Sequence, residues 1–174
     1  MTTQVVVMGV AGSGKTTVAE LLAQRAGLEY VEADRFHSPE NIAKMSSGTP
    51  LTDEDRQPWL RRLSEWMRER REAGVSTVLA CSALKRSYRD ILRSHAPALM
   101  FVHLHGSPEL IRERMTSRKG HFMPPALLDS QIRDLEPLQA DENGITVDLV
   151  HAPDEIAEQA LSWLRIAPDM GTAR

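Results

Sequence analysis

Gly9-Val10-Ala11-Gly12-Ser13-Gly14-Lys15-Thr16 decides how this chain is read. The stretch matches G-x-x-x-x-G-K-[ST] at every defining position. It follows the apolar run Val5-Val6-Val7-Met8 and precedes Val18-Ala19-Glu20-Leu21-Leu22-Ala23, where apolar residues recur at helical spacing. Glycines here let the backbone turn tightly and approach an anion with no Cβ in the way. Successive N–H groups then face one concavity, and a helix beginning at Lys15 directs its positive dipole end into it. Gly9, Val10, Ala11, Gly12, Ser13, Gly14, Lys15, Thr16 and Thr17 are therefore expected to surround nucleotide phosphates. Lys15 is expected to reach the β- and γ-phosphates, and the Thr16 hydroxyl to hold Mg²⁺.

The rest of the composition sets bounds on this reading. A chain of 174 residues is long enough for one domain with a sizeable core. Its 41% hydrophobic and 26% charged residues are ordinary for a globular protein. A net charge of -3 and a pI near 6.1 argue against a dedicated nucleic-acid binder. The lone cysteine, Cys81, has no partner for an internal disulfide and sits in an apolar run. The first strand pattern starts at Gln4, so no signal peptide is expected, and no apolar run has the length of a membrane span. The expected compartment is a reducing cytoplasm, with no membrane partner.

Apolar runs alternate with helical patterns, which predicts an α/β fold with a mainly parallel five-stranded sheet and helices on both faces. Strands are expected at Gln4–Met8, Leu28–Val31, Thr77–Cys81, Leu99–Leu104 and Thr146–Val150. Helices are expected at Lys15–Ala26, Pro39–Ser46, Pro58–Ala73, Lys85–His95, Pro108–Arg118, Pro125–Leu135 and Asp154–Leu164. Pro58 suits the first turn of its helix, where a missing N–H costs little, and Gly74 suits a C-terminal stop. Trp59, Leu60, Leu63, Trp66 and Met67 share one helix face and read as core. Residues 1–165 are expected to form a single domain, with 166–174 a loose tail and a basic loop at about 118–126.

A phosphate loop does not say where a phosphoryl group goes. The chain has no N-K-x-D guanine signature and is short for a transport or AAA-type ATPase. Small size, an early phosphate loop and a late basic loop fit a kinase of the nucleoside-monophosphate-kinase type, whose lid closes over the transferring group. Three further segments narrow this. One runs Glu32-Ala33-Asp34-Arg35-Phe36-His37 and continues through Lys44 and Arg56 to Trp59. The second is Cys81-Ser82-Ala83-Leu84-Lys85-Arg86, followed by Tyr88 and Arg89. The third is Arg118-Lys119-Gly120-His121-Phe122-Met123-Pro124-Pro125, followed by Ser130-Gln131 and Leu135-Glu136. Together with the phosphate loop they closely resemble the bacterial gluconokinase family, of the thermoresistant type, from about Val5 to about Val150. Two positions depart from the common pattern, Ala11 where many members have Ser and Glu32 where many have Asp.

The resemblance implies transfer of the ATP γ-phosphoryl to the 6-hydroxyl of D-gluconate, Mg²⁺ dependence and often a homodimer. Asp34, just past the second strand, lies where ligands bind in open α/β sheets. A carboxylate there accepts the hydroxyl proton, helps hold Mg²⁺ through water, or orients the hydroxyl; the residues leave all three open. Arg56 and Arg89 rank first for the gluconate carboxylate, ahead of Lys44 and Lys85, because a guanidinium binds it bidentately. His37 is a candidate partner for a substrate hydroxyl, and Ser82 follows the third strand. That strand lacks the Asp that often holds Mg²⁺, so protein ligation is expected to rest on Thr16, with Asp34 a further candidate. Arg118, with Lys119 and His121, is the expected lid contact to the γ-phosphate. Arg112 and His151–Pro153 are the candidates for the base pocket. Two other readings stay open: a shikimate-kinase-like or other small-molecule kinase, and a nucleotide-binding regulatory protein without turnover.

Overall fold

The computed structural model describes residues 2–117 and 125–164. Its centre is β1 (Gln4–Met8), whose five residues are all buried. A strand with both faces covered has no use for alternation, which is why Val5, Val6, Val7 and Met8 run without a polar break. Four further strands pair with it in parallel: β2 (Glu29–Glu32), β3 (Thr77–Ala80), β4 (Met100–His105) and β5 (Gly144–Asp148), in the order β2-β3-β1-β4-β5. The register pairs Val7 with Ala80 on one side and with Val102 on the other.

Helices cover the sheet in two groups. The helix α1 (Lys15–Ala26) packs on α7 (Pro153–Leu164), and α3 (Asp53–Glu72) packs on α4 (Arg86–Arg93). Leu22 of α1, Leu60 and Leu63 of α3, Leu92 of α4 and Ala157 of α7 join one core with the strands. The remaining helices are α2 (Pro39–Ser46), α5 (Pro108–Ser117) and α6 (Pro125–Asp134). The chain goes to β2 and β3 on one side of β1, then to β4 and β5 on the other. This reversal opens a crevice beyond the carboxyl end of β1, where the phosphate loop starts.

Most elements lie within a residue or two of their expected bounds, and one start differs. The helix α3 begins at Asp53, ahead of Pro58, because Thr52 and Asp55 form a reciprocal capping box. The Thr52 hydroxyl accepts from the Asp55 amide at 3.1 Å, and Asp55 Oδ2 accepts from the Thr52 amide at 2.9 Å. Pro58 therefore sits inside the helix, where it forfeits one backbone hydrogen bond. The earlier start places Asp53 and Arg56 on the helix instead of on a loop, and both matter below.

Candidate active site

The phosphate loop has the geometry its sequence implies. Gly9 has φ of 150° and approaches so closely that a Cβ would stand 2.9 Å from the Leu104 carbonyl oxygen. Gly14 has φ of 93° with nothing within 4 Å of a notional Cβ, so the conformation, not crowding, calls for glycine there. The helices α2 and α3 are capped by Ser38 and Thr52, whereas α1 has no side-chain cap. Its first N–H groups are the natural donors to an anion seated on the loop. Lys15 Nζ donates to the Gly9 and Val10 carbonyls, both at 3.1 Å, and so lies over the same concavity. Thr17 follows in the exposed first turn.

The end of β2 supplies two carboxylates. Glu32 Oε2 accepts from the Thr16 hydroxyl at 3.1 Å and also from the Tyr30 phenol. Burial and the Glu32 carboxylate both push the Tyr30 phenol up, so it stays protonated and donating. Asp34 follows in a single 3-10 turn, Ala33–Phe36, which Trp59 pins by donating from Nε1 to the Ala33 carbonyl at 2.7 Å. The Asp34 side chain remains 72% exposed and lines the cleft.

His37 lies against the face of Trp59, ring centroids 4.1 Å apart. Burial, and then the positive charge of Arg56, push its pKa down to about 4, so the ring is neutral at pH 7. The Asn41 side-chain NH₂, which can only donate, stands 3.3 Å from Nδ1. Nδ1 is therefore the acceptor, and the proton is on Nε2, 3.9 Å from Asp34 Oδ1.

Across the cleft stands Arg56, 7% exposed. Its Nη1 donates to the Tyr88 hydroxyl at 2.9 Å and lies 3.8 Å from Asp134. The Tyr88 hydroxyl donates onward to Asp53, which also accepts from Lys85 Nζ at 2.9 Å. Ser82 lines the same cleft, and its carbonyl accepts from the Gly9 amide at 3.3 Å.

The structure thus brings Lys15, Asp34, His37, Arg56 and Ser82 to one cleft. It does not bring Lys44, Lys85 or Arg89 to the cleft wall. Lys44 pairs with Asp55 at 2.9 Å, at the corner between α2 and α3. Lys85 is engaged by Asp53 and sits over the Tyr88 ring.

For Arg89 the expectation of a substrate carboxylate partner needs correcting. The residue is 0% exposed and holds Glu142 bidentately, at 2.7 and 3.0 Å. Its remaining donors go to the Ala83, Leu84 and Pro137 carbonyls, at 2.9, 3.3 and 3.2 Å. Every donor direction is used inside the protein. Arg89 instead fastens the loop after β3, where Ala83 takes φ of 44°, a costly conformation for a residue with a Cβ. Arg118, Lys119 and His121 lie outside the described residues.

Several site residues were not singled out from the sequence. Glu32 stood out only as a departure from Asp, and Asn41 and Tyr88 carried no motif of their own. Gln131 reaches the phosphate loop from 120 residues away, its Oε1 accepting from the Ala11 amide at 2.8 Å. Among the described residues no cluster of three or more His, Cys, Asp or Glu is arranged to hold a metal ion. Cys81 is buried, and burial first of all pushes its thiol up to about 12, so it serves as core.

The chain is similar to known proteins over most of its length. Residues 5–138 match the family model described as an AAA domain. A gluconokinase from Gluconobacter oxydans (strain 621H) is 49% identical over 156 residues, which cover 90% of this chain and 88% of that protein. The crystal structure of an unliganded sugar kinase from Janibacter sp. HTCC2649 superposes with a TM-score of 0.94 at 59% identity, covering 99% of both chains. That of a gluconokinase from Sinorhizobium meliloti 1021 gives a TM-score of 0.86 at 48% identity, covering 94% of this chain and 91% of that one. Identity of this extent, over nearly the whole of each chain, makes the protein a member of the gluconokinase family.

Proposed function

We propose that the protein transfers the γ-phosphoryl group of ATP to the 6-hydroxyl of D-gluconate, giving 6-phospho-D-gluconate and ADP. The observation that carries this reading is the shared cleft. Lys15 and Ala11 form its phosphate side, and Asp34, His37 and Arg56 its polyol side. Lys15 and the uncapped start of α1 take the phosphate oxygens. Asp34 meets the acceptor hydroxyl, either taking its proton or aiming it, and the neutral His37 offers its Nε2–H to the same region. Arg56 supplies the cation for the gluconate carboxylate.

The residues present suit Mg²⁺. Thr16 offers a hydroxyl and Glu32 a carboxylate within 3.1 Å of one another, a hard oxygen pair beside the phosphate loop. Thr16 would hold the ion, with Glu32 and Asp34 facing its waters. When bound, Mg²⁺ offsets the charge that builds on the phosphate oxygens. Arg118, with Lys119 and His121, is assigned to the closing side of the phosphoryl group. We place the reaction in the cytoplasm, where a lone buried thiol stays reduced, and assign the enzyme a homodimeric state that light scattering would check.

The test is ADP release with Mg-ATP and each of gluconate, shikimate, AMP and adenylyl sulfate. Release dependent on gluconate alone is the expected result. Release with no acceptor, or only with another one, overturns the reading.

A further inference from the structure

Among the described residues, the side chain of Gln131 is held at one end only. Its Oε1 accepts from the Ala11 amide at 2.8 Å, and this fixes which way the carboxamide faces. The oxygen points to the phosphate loop, so the NH₂ group turns the other way. Gln131 lines the cleft that also holds Lys15, Asp34 and Arg56. Asp134, three positions on, falls on the same face of α6 and stands 3.8 Å from Arg56. One helix face therefore touches the donor loop through Gln131 and the acceptor-side cation through Asp134.

From this placement we propose that Gln131 is a contact residue for phosphoryl transfer, using Oε1 to hold the phosphate loop and Nε2–H to bind the phosphoryl group in transit. The inference rests on the kinase reading and adds a residue to it. The transferring group spreads its negative charge over its equatorial oxygens. A fixed, neutral donor aimed at them stabilises that charge without having to reorient as it forms. The bond to Ala11 supplies this fixity, since flipping the carboxamide would set an NH₂ against a backbone N–H.

Gln131→Glu separates the two ends of the side chain. The variant keeps an oxygen for the Ala11 amide and replaces the outward donor with an anionic oxygen. Thermal unfolding, calorimetric affinities for ADP and for a non-hydrolysable ATP analogue, and steady-state kinetics with gluconate form the test. The expected result is an unchanged unfolding midpoint and an unchanged ADP affinity, with kcat and analogue affinity each lowered by about tenfold or more. A residue that only props the loop would alter ADP and analogue binding alike. Parallel losses, or a kcat equal to the parent's, overturn the proposal.

Gln131→Met repeats the comparison should the glutamate variant fail to fold. It is expected to weaken analogue binding more than ADP binding, and equal weakening again overturns the proposal. If the parent protein shows no gluconate-dependent turnover, the proposed function fails. The ADP-against-analogue comparison needs no acceptor and still decides the role of Gln131.

Discussion

His37 Nε2 stands 3.9 Å from Asp34 Oδ1, and the hydrogen bond that fixes its proton on that nitrogen comes from the opposite side of the ring, from Asn41. Asn41 is itself held, donating to the Asp55 carbonyl at 2.8 Å, so the capped start of α3 orients the imidazole. The Asp34 carboxylate thus faces an N–H rather than a lone pair. A substrate hydroxyl placed between them would accept from His37 and donate to Asp34, which suits a hydroxyl about to become a nucleophile.

Asp34→Asn removes the acceptor of that proton while keeping size and shape. We expect kcat to fall by about a hundredfold or more, the range for losing a general base. Mg-ATP affinity should change little. The unfolding midpoint should also hold, because the side chain is 72% exposed. Steady-state kinetics beside a nucleotide titration checks this, and a near-parental rate removes Asp34 from the chemistry.

His103 makes stability depend on pH. The residue lies in β4, 1% exposed, with neither ring nitrogen hydrogen-bonded. Burial first, then His105 and Arg89, push its pKa down to about 4. The unfolded chain takes up a proton as pH falls below about 6.5, whereas the folded one resists until about 4. In that window the unfolded state binds more protons, so folding stability falls with pH, by about 1.4 kcal/mol per pH unit for each such histidine. His37, pushed down to the same value, adds to the slope. Above about pH 6.5 neither contributes a slope. His103→Leu should flatten the acid limb in urea titrations at pH 7.5, 6 and 5 (values of about this spacing span the window). An unchanged limb would place the acid sensitivity elsewhere.

Glu142 joins Arg89 and Arg93, at 2.7 and 2.9 Å, with its own side chain fully buried. Removing one partner of such a pair strands the other charge inside the protein. Glu142→Gln is therefore expected to cost about 3–5 kcal/mol of folding stability, measured by denaturant unfolding. The folded fraction should keep its gluconate KM, since Arg89 holds the loop after β3 and is closed off from solvent. A KM rise with unchanged stability would return Arg89 to the substrate.

The donor half of this site was legible because its chemistry is local. The bends, the amide cradle and the lysine all lie within Gly9–Thr16, and the flanking strand and helix fall where the pattern puts them. Asp34 was legible by its place after a strand. Arg89 and Gln131 were not, since each is defined by a partner far along the chain, Glu142 for one and Ala11 for the other. An arginine reads the same in sequence whether it meets a ligand or a buried glutamate. The start of α3 carried a local signal, Thr52-x-x-Asp55, but Pro58 offers a competing helix start a few residues on. The reciprocal cap, satisfying two backbone donors at once, prevailed over the proline's preference for a first turn.

With Arg89 committed to Glu142, the carboxylate of an acid substrate has Arg56 as its remaining arginine in the cleft among the described residues. The guanidinium is held by the Tyr88 hydroxyl at 2.9 Å, lies 5.4 Å from the centre of the Tyr88 ring and stands 3.8 Å from Asp134. These contacts orient its plane at the cleft wall. Arg56→Lys keeps the charge but loses both the fork and the bond geometry to Tyr88. Gluconate KM is expected to rise by about tenfold or more, the cost of one charge-assisted hydrogen bond. ADP affinity should stay put, because the proposed function sets Arg56 against gluconate and not against the nucleotide. The split between the two ligands is the informative quantity: a loss of ADP affinity equal to the loss for gluconate would mean that Arg56 shapes the whole cleft rather than binding the acid.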